Sequence, residues 1–186
     1  MWATCNVGAD KPEEYGLLFQ FGRVDGYAYD DENHQFRTFE QNTQDTGNEY
    51  IPKTASGKTY NVGETLDLKD DAAHINMGGV WRMPTNDELQ ELINNTSHEV
   101  TSINEVQGMM FTSNKNNKQL FIPFVGYWSE DDRFIEAGSS ASVWSSQVHA
   151  YAVDDAYLLY CDYGGNPSDD NYSRSYARSV RGVFKK

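Results

Sequence analysis

Apolar positions along this chain recur mostly at strand spacing, and only a few stretches sustain a helical period. The clearest helical signal follows Pro84, where Thr85 and Glu88 stand at capping-box spacing and Leu89, Leu92 and Ile93 fall on one face. Two shorter helices are predicted. Asp10 to Gly16 offers a capping aspartate, a proline suited to the first turn and a terminal glycine. Asp70 to Gly78 is likewise started by aspartate and stopped by the pair Gly78-Gly79.

Short strands are predicted at 17–21 and 80–83, and then in series at 100–103, 109–112, 120–125, 143–148, 156–161 and 179–184, separated by Gly, Asn, Asp and Ser. Between Gly22 and Gly63 the chain turns polar and loop-like, so 25–62 reads as an insertion-like excursion carrying short strands. Early helices followed by a strand-rich half predict an α+β fold with a mostly antiparallel sheet, and 186 residues suit a single domain spanning 1–186.

Charge narrows the partners. Fifteen basic against 28 acidic side chains give −13, a balance that repels phosphate backbones, so nucleic acid is not expected. The longest nearly apolar run, Leu120 to Trp128, contains Pro123 and Gly126 and falls far short of the roughly 20 residues a bilayer span needs, so no membrane insertion is expected. No secretory signal follows Met1. Cys5 and Cys161 leave either two buried thiols or one disulfide.

Reactive groups do not gather into a motif. Neither phosphate-loop pattern is present, and the serines at 139, 140, 145 and 146 sit in no nucleophile elbow. His34, His74, His98 and His149 lie apart, without metal-pair spacing. Acidic loops at 30–32, 131–132, 154–155 and 169–170 carry oxygen ligands of the kind calcium takes, but none matches the twelve-residue calcium loop; no cofactor is expected and calcium stays open. Any carboxylate pair chosen for glycoside hydrolysis is uninformative without its separation, so a carbohydrate-active hydrolase remains an alternative. Trp81 and Trp144 are assigned to core packing, and Arg82, Arg178 and Arg181 to pairing with the excess carboxylates.

The end of the chain has its own character. Tyr151, Tyr157, Tyr160, Tyr163, Tyr172 and Tyr176, half of all 12 tyrosines, fall in the last 36 residues, interspersed with Asp, Ser, Asn and Gly. Tyrosine supplies rigid contact area while small polar residues adapt, a composition shared with antibody paratopes. No Lys or Arg lies between Phe134 and Ser173, which suits a cationic or hydroxyl-rich ligand. Alternation along 156–163 predicts Tyr157, Leu159 and Cys161 inward and Leu158, Tyr160 and Asp162 outward.

Several strings together resemble one family: Trp2 to Ala9, Pro12 to Gly16, Asp70 to Ala73, the segment Gly78 to Thr85 containing WRMPT, Glu88-Leu89 and the terminal SVRGV at 179–183. They resemble the Fibrobacter succinogenes major paralogous domain, over nearly the whole chain, with the weakest match from Asp25 to Tyr60. That resemblance implies a C-type-lectin-like fold whose chain ends pair and whose loop-rich face binds a protein or glycan without turnover, on a bacterial cell surface or a phage particle. Members usually carry a further strand-forming segment before the WATCNVGA string.

Similar domains serve as variable proteins of diversity-generating retroelements, and on that likeness the candidate ligand-binding positions are His149, Tyr151, Asp154, Leu158, Tyr160, Asp162, Tyr172, Ser173, Ser175 and Tyr176. Two other readings stand beside it. One is an enzyme related to the formylglycine-generating enzymes, whose cysteine motif Cys5 and Cys161 do not supply. The other is a structural module of a fimbrial or tail-fibre assembly, joined through edge strands.

Overall fold

The computed structural model describes residues 1–30, 35–36, 43–45, 50–129 and 134–184. The chain opens with β1 (Leu17–Gln20) and β2 (Tyr27–Asp30), then the brief β3 (Gln35–Phe36), β4 (Thr43–Asp45) and β5 (Tyr50–Pro52). Helices α1 (Ala72–Met77) and α2 (Asn86–Asn94) follow. The strand-rich part runs through β6 (Thr96–Ile103), β7 (Val106–Ser113), β8 (Gln119–Pro123), β9 (Tyr127–Trp128), β10 (Phe134–Ile135), β11 (Ser140–Val148), β12 (Asp155–Asp162), β13 (Ser168–Ser173) and β14 (Ala177–Ser179). This is an α+β chain, as its pattern predicts.

The main sheet has the order β13-β12-β11-β14-β1-β2-β3, with β9 pairing β14 and β10 pairing β9. The last strand therefore lies in the middle. It runs antiparallel to β1 through Leu18 and Ser179, but parallel to β11 through Val143 and Ser179, the one departure from antiparallel pairing among the described strands. A smaller sheet, β6-β7-β8, folds as a meander beside it. The two ends of the chain meet: Trp2 bridges Val183, and the Ala3 and Val7 amides donate to the Gly182 and Val180 carbonyls at 2.8 and 2.9 Å.

Both faces of the β11–β12 pair are buried. On one, α2 delivers Leu89 and Leu92 onto Val143, Leu159 and Cys161, with Met109, Phe111 and Ile122 of the small sheet completing the cluster. On the other, Ala72 and Ala73 of α1, Tyr60, Phe19 and Phe21 pack on Trp144, Val148, Ala156 and Leu158. Leu158 is thus fully buried, which corrects the outward placement drawn from alternation; a strand covered on both sides buries successive residues, not every second one.

The caps explain why the helices stand where they do. In α2 the Glu88 amide donates to Thr85 Oγ1 at 3.3 Å and the Thr85 amide to Glu88 Oε2 at 3.0 Å, the predicted capping box. Asp71 caps α1 by accepting from the His74 amide at 2.8 Å, and Gly78 ends it at φ 71°. Asp71 also accepts from the Met83 amide at 2.8 Å, and burial pushes its carboxyl up from the ordinary range.

Four elements differ from the reading of the pattern. Residues 10–16 form a turn instead of a helix, because the Glu14 carboxylate takes the Asp10 and Lys11 amides and closes the segment at once. Residues 80–83 make only a single bridge, Arg82 to Val183, and not a strand. The terminal strand is shorter and earlier than 179–184, and β13 carries too few apolar residues to announce itself. Much of the polar excursion, at 31–34, 37–42 and 46–49, lies outside the described residues.

Arg181 pins this arrangement. It is fully buried, and its guanidinium donates from Nε to Asn6 Oδ1 at 2.9 Å, from Nη1 to the Ala3 carbonyl at 3.2 Å and from Nη2 to the Phe121 carbonyl at 3.0 Å. It joins the N-terminal segment, the small sheet and the end of the chain. Replacing it strands three buried acceptors, so Arg181→Met is expected to lower unfolding stability by about 3 kcal/mol or more in a urea titration. Hairpin β6–β7 turns on Asn104 and Glu105, at φ 47° and 70°. Glutamate is strained in that left-handed region, so Glu105→Gly is expected to raise stability by up to about 1 kcal/mol in the same titration.

Candidate functional site: the tyrosine face around Arg178

Cross-strand register decides which side chains share the face above Trp144. Along β12 they are Ala156, Leu158, Tyr160 and Asp162. Their partners on β11 are Val148, Trp144, Ser142 and Ser140, and on β13 Tyr172 stands opposite Ala156. Helix α1 and its neighbours cover the apolar part of this face. Arg178 reaches it from β14, where it alternates with Ser179, the residue paired with Val143.

Arg178 is 1% exposed, and four rings surround its guanidinium carbon: Tyr127 at 4.5 Å, Tyr172 at 4.7 Å, Trp144 at 5.3 Å and Tyr176 at 5.6 Å from their centroids. Tyr127 and Tyr176 are themselves stacked, 5.7 Å apart and 6° from parallel. Below, Nη1 donates to Ser142 Oγ at 2.6 Å. Cation–π contacts of this kind gain from desolvation. Burial pulls the guanidinium down to about 10, so it stays charged at neutral pH.

Acidic groups rim the face. Tyr160 is half-buried, and its phenol is pushed up to about 12, first by burial and then by the charges of Glu136 and Asp162. Burial and Glu136 also raise Tyr127. Glu136 Oε2 accepts from Ser140 Oγ at 2.5 Å, and the Tyr160 hydroxyl donates to Asp162 Oδ2 at 3.5 Å.

The positions singled out from sequence divide three ways. Tyr160, Asp162, Tyr172 and Tyr176 lie on or beside this face. His149, Tyr151 and Asp154 sit in the β11–β12 connection, where the His149 ring meets Tyr151 at 5.9 Å and Tyr157 at 4.8 Å, and Tyr151 is 90% exposed. Ser173 and Ser175 share a 2.8 Å hydroxyl contact, but Ser175, like Leu158, is fully buried; both are removed from any contact surface because neighbouring strands cover them.

Two members of the cluster escaped the sequence reading. Tyr127 lies outside the tyrosine-rich end. Arg178 was expected to pair with a carboxylate; instead it sits among rings, and Arg181 among carbonyls, while Arg82 does pair with Glu88, twice at 2.7 Å. No local signal marked Arg178: it is buried because β14 lies between β11 and β1 in the middle of the sheet. Trp144 is fully buried and donates from Nε1 to the Phe19 carbonyl at 2.9 Å, whereas Trp81 is half-buried against Phe184.

Other chemistry is sparse. Among the described residues no three His, Cys, Asp or Glu side chains converge as metal ligands; His34 and the acidic pairs at 31–32 and 131–132 lie outside those residues. Cys5 and Cys161 are free thiols, and burial raises Cys161 well above its ordinary range. A cleft of about 690 Å³, lined by Trp2, Met110, Phe111 and Leu120 among others, lies between the N-terminal segment and the small sheet, apart from the tyrosines.

The strings that resemble the Fibrobacter succinogenes major paralogous domain lie within the reach of a family model. The Lcl C-terminal domain model matches residues 1–181, and the chain belongs to that family. Comparison with curated proteins and with solved structures gives no match.

The raised phenol of Tyr160 sets a pH dependence. Its folded value lies above the ordinary value of about 10, so its contribution to stability is whole below about 10 and is lost as pH rises through about 12. The unfolding free energy of the wild type should therefore fall across that window and Tyr160→Phe should flatten the fall; identical profiles would contradict it.

Proposed function

We propose that this chain is a non-catalytic ligand-binding domain that recognises a protein or glycan at a bacterial cell or phage surface through the tyrosine face around Arg178. The observation that carries this reading is the face itself. Tyr127, Tyr160, Tyr172 and Tyr176 gather beside Ser140, Ser142 and Asp162, large rigid contact area mixed with adaptable hydrogen-bonding groups. Tyr172 is 41% exposed on an edge strand and thus open to a partner.

The scaffold agrees with a C-type-lectin-like arrangement. Its ends pair through Trp2 and Val183, and its terminal strand is central. Family membership supports the same assignment. Within it the variable positions of a retroelement-diversified protein would be His149, Tyr151, Asp154, Tyr160, Asp162, Tyr172, Ser173 and Tyr176, side chains that are at least partly accessible.

The test is a paired screen. Wild type and the Tyr160→Ala/Tyr172→Ala variant are applied to a glycan array and to a displayed random-peptide library, with thermal midpoints measured in parallel. Ligands of the wild type should weaken by tenfold or more, since interface tyrosines cost about 2 kcal/mol on truncation, while the midpoint moves by only a few degrees. Unchanged binding would end the assignment, and so would global unfolding.

A further inference from the structure

Arg178 carries an unmet demand. Nη1 donates to Ser142, but Nε and Nη2 have no hydrogen-bond partner among the described residues, although the side chain is 1% exposed. The rings around it supply π faces, which attract the charge but offer no acceptor to the N–H groups. Buried charged donors are normally matched, and an unmatched one costs free energy. The Nε–H and one Nη2–H point the same way along one edge, the fork that fits both oxygens of a carboxylate.

Arg181 differs, donating from all three nitrogens, whereas Arg174 shares the unmatched Nε and Nη2 and donates only from Nη1, to the Val153 and Tyr60 carbonyls. Arg174 lies over the fully buried Phe21, while Arg178 is covered by the exposed Tyr172, so of the two only Arg178 adjoins the surface through a ring of the tyrosine face. The carboxylate whose charge Arg178 feels, Glu136, is held by Ser140. Tyr172 covers Arg178 from the sheet edge and is the most exposed of the four rings around it; no hydrogen bond to its hydroxyl is present among the described residues.

We propose that the Nε–Nη2 edge of Arg178 anchors a single carboxylate of a protein partner, an Asp or Glu side chain that enters between the tyrosines as Tyr172 turns outward. The proposal rests on the reading of this face as the contact surface. Charge selects the partner's form. A chain at −13, with Glu136 and Asp162 beside the tyrosines, repels polyanions, so an isolated carboxylate set among apolar side chains fits and a densely charged polymer does not. Its two oxygens replace the missing acceptors, and the displaced ring closes over the partner's chain.

The experiment uses the full chain. Peptides selected from a random displayed library are remade with amidated ends, and each Asp or Glu is replaced in turn by Asn or Gln. One such replacement should weaken binding to the wild type at least tenfold and to Arg178→Met less than twofold. A hydrophobic side chain of similar length removes the charge together with its unmet demand, so Arg178→Met should melt within a few degrees of the wild type. Independently of that variant, acetate added to the wild type should shift the Arg178 Nε–H resonance, while chloride at equal ionic strength leaves it in place.

Peptides that need Tyr172 and Tyr176 but no carboxylate overturn the anchor and leave the contact face standing. Peptides indifferent to Tyr160 and Tyr172 overturn both. A selection that returns no peptide, with the resonance unmoved by acetate, also overturns the anchor.

Discussion

The strand Ala177–Ser179 lies between β11 and β1, so the last stretch of the chain becomes the middle of its main sheet. That placement forces arginines into the interior. Arg174, Arg178 and Arg181 are each no more than 1% exposed, and each must find its partners inside the protein. Arg181 finds carbonyls and Asn6 and thereby ties the N-terminal segment to the small sheet. Arg178 finds rings, and so the same strand that closes the fold also sets the tyrosines in place. Arg181, just beyond this strand, and Arg178, on it, thus tie the fold together and order the proposed contact face within a few residues of each other.

The division works because the two faces are filled differently. Below, α2 and the small sheet close over Val143, Leu159 and Cys161. Above, α1 covers Trp144, Val148 and Leu158, while the remainder of the face ends in Ser142, Tyr160 and the Arg178 cluster. The side chains of the proposed contact face are therefore held by strands packed from behind, an arrangement that lowers the conformational entropy a contact would cost.

How much of this was legible in the sequence depends on the range of the interactions. The capping box at Thr85 and Glu88 and the aspartate cap at Asp71 are local, and both helices stand where the pattern places them. Strands β6 to β8, β11 and β12 carry their own apolar signal. The turn at 10–16 misled because Glu14 serves backbone amides in a turn as readily as it favours a helix start. β13 was missed because Ser, Asp and Asn dominate an edge strand that packs little, and Leu158 was misplaced because alternation presumes one wet face. At the site, the tyrosine-rich end pointed to Tyr160, Tyr172 and Tyr176. Tyr127 and Arg178 reach the cluster only through sheet pairing across distant segments, which no local pattern encodes.

In the proposed function, a scaffold packed from behind presents these rings to a partner and holds them ready through Arg178. Hydroxyl-radical footprinting of the domain, alone and with a library-selected peptide bound, examines it most directly. Protection should concentrate on Tyr127, Tyr160, Tyr172 and Tyr176, with Trp2 and Met110 reacting at their free rates. Protection at the cleft of Trp2, Met110 and Phe111 with the tyrosines unchanged would contradict it.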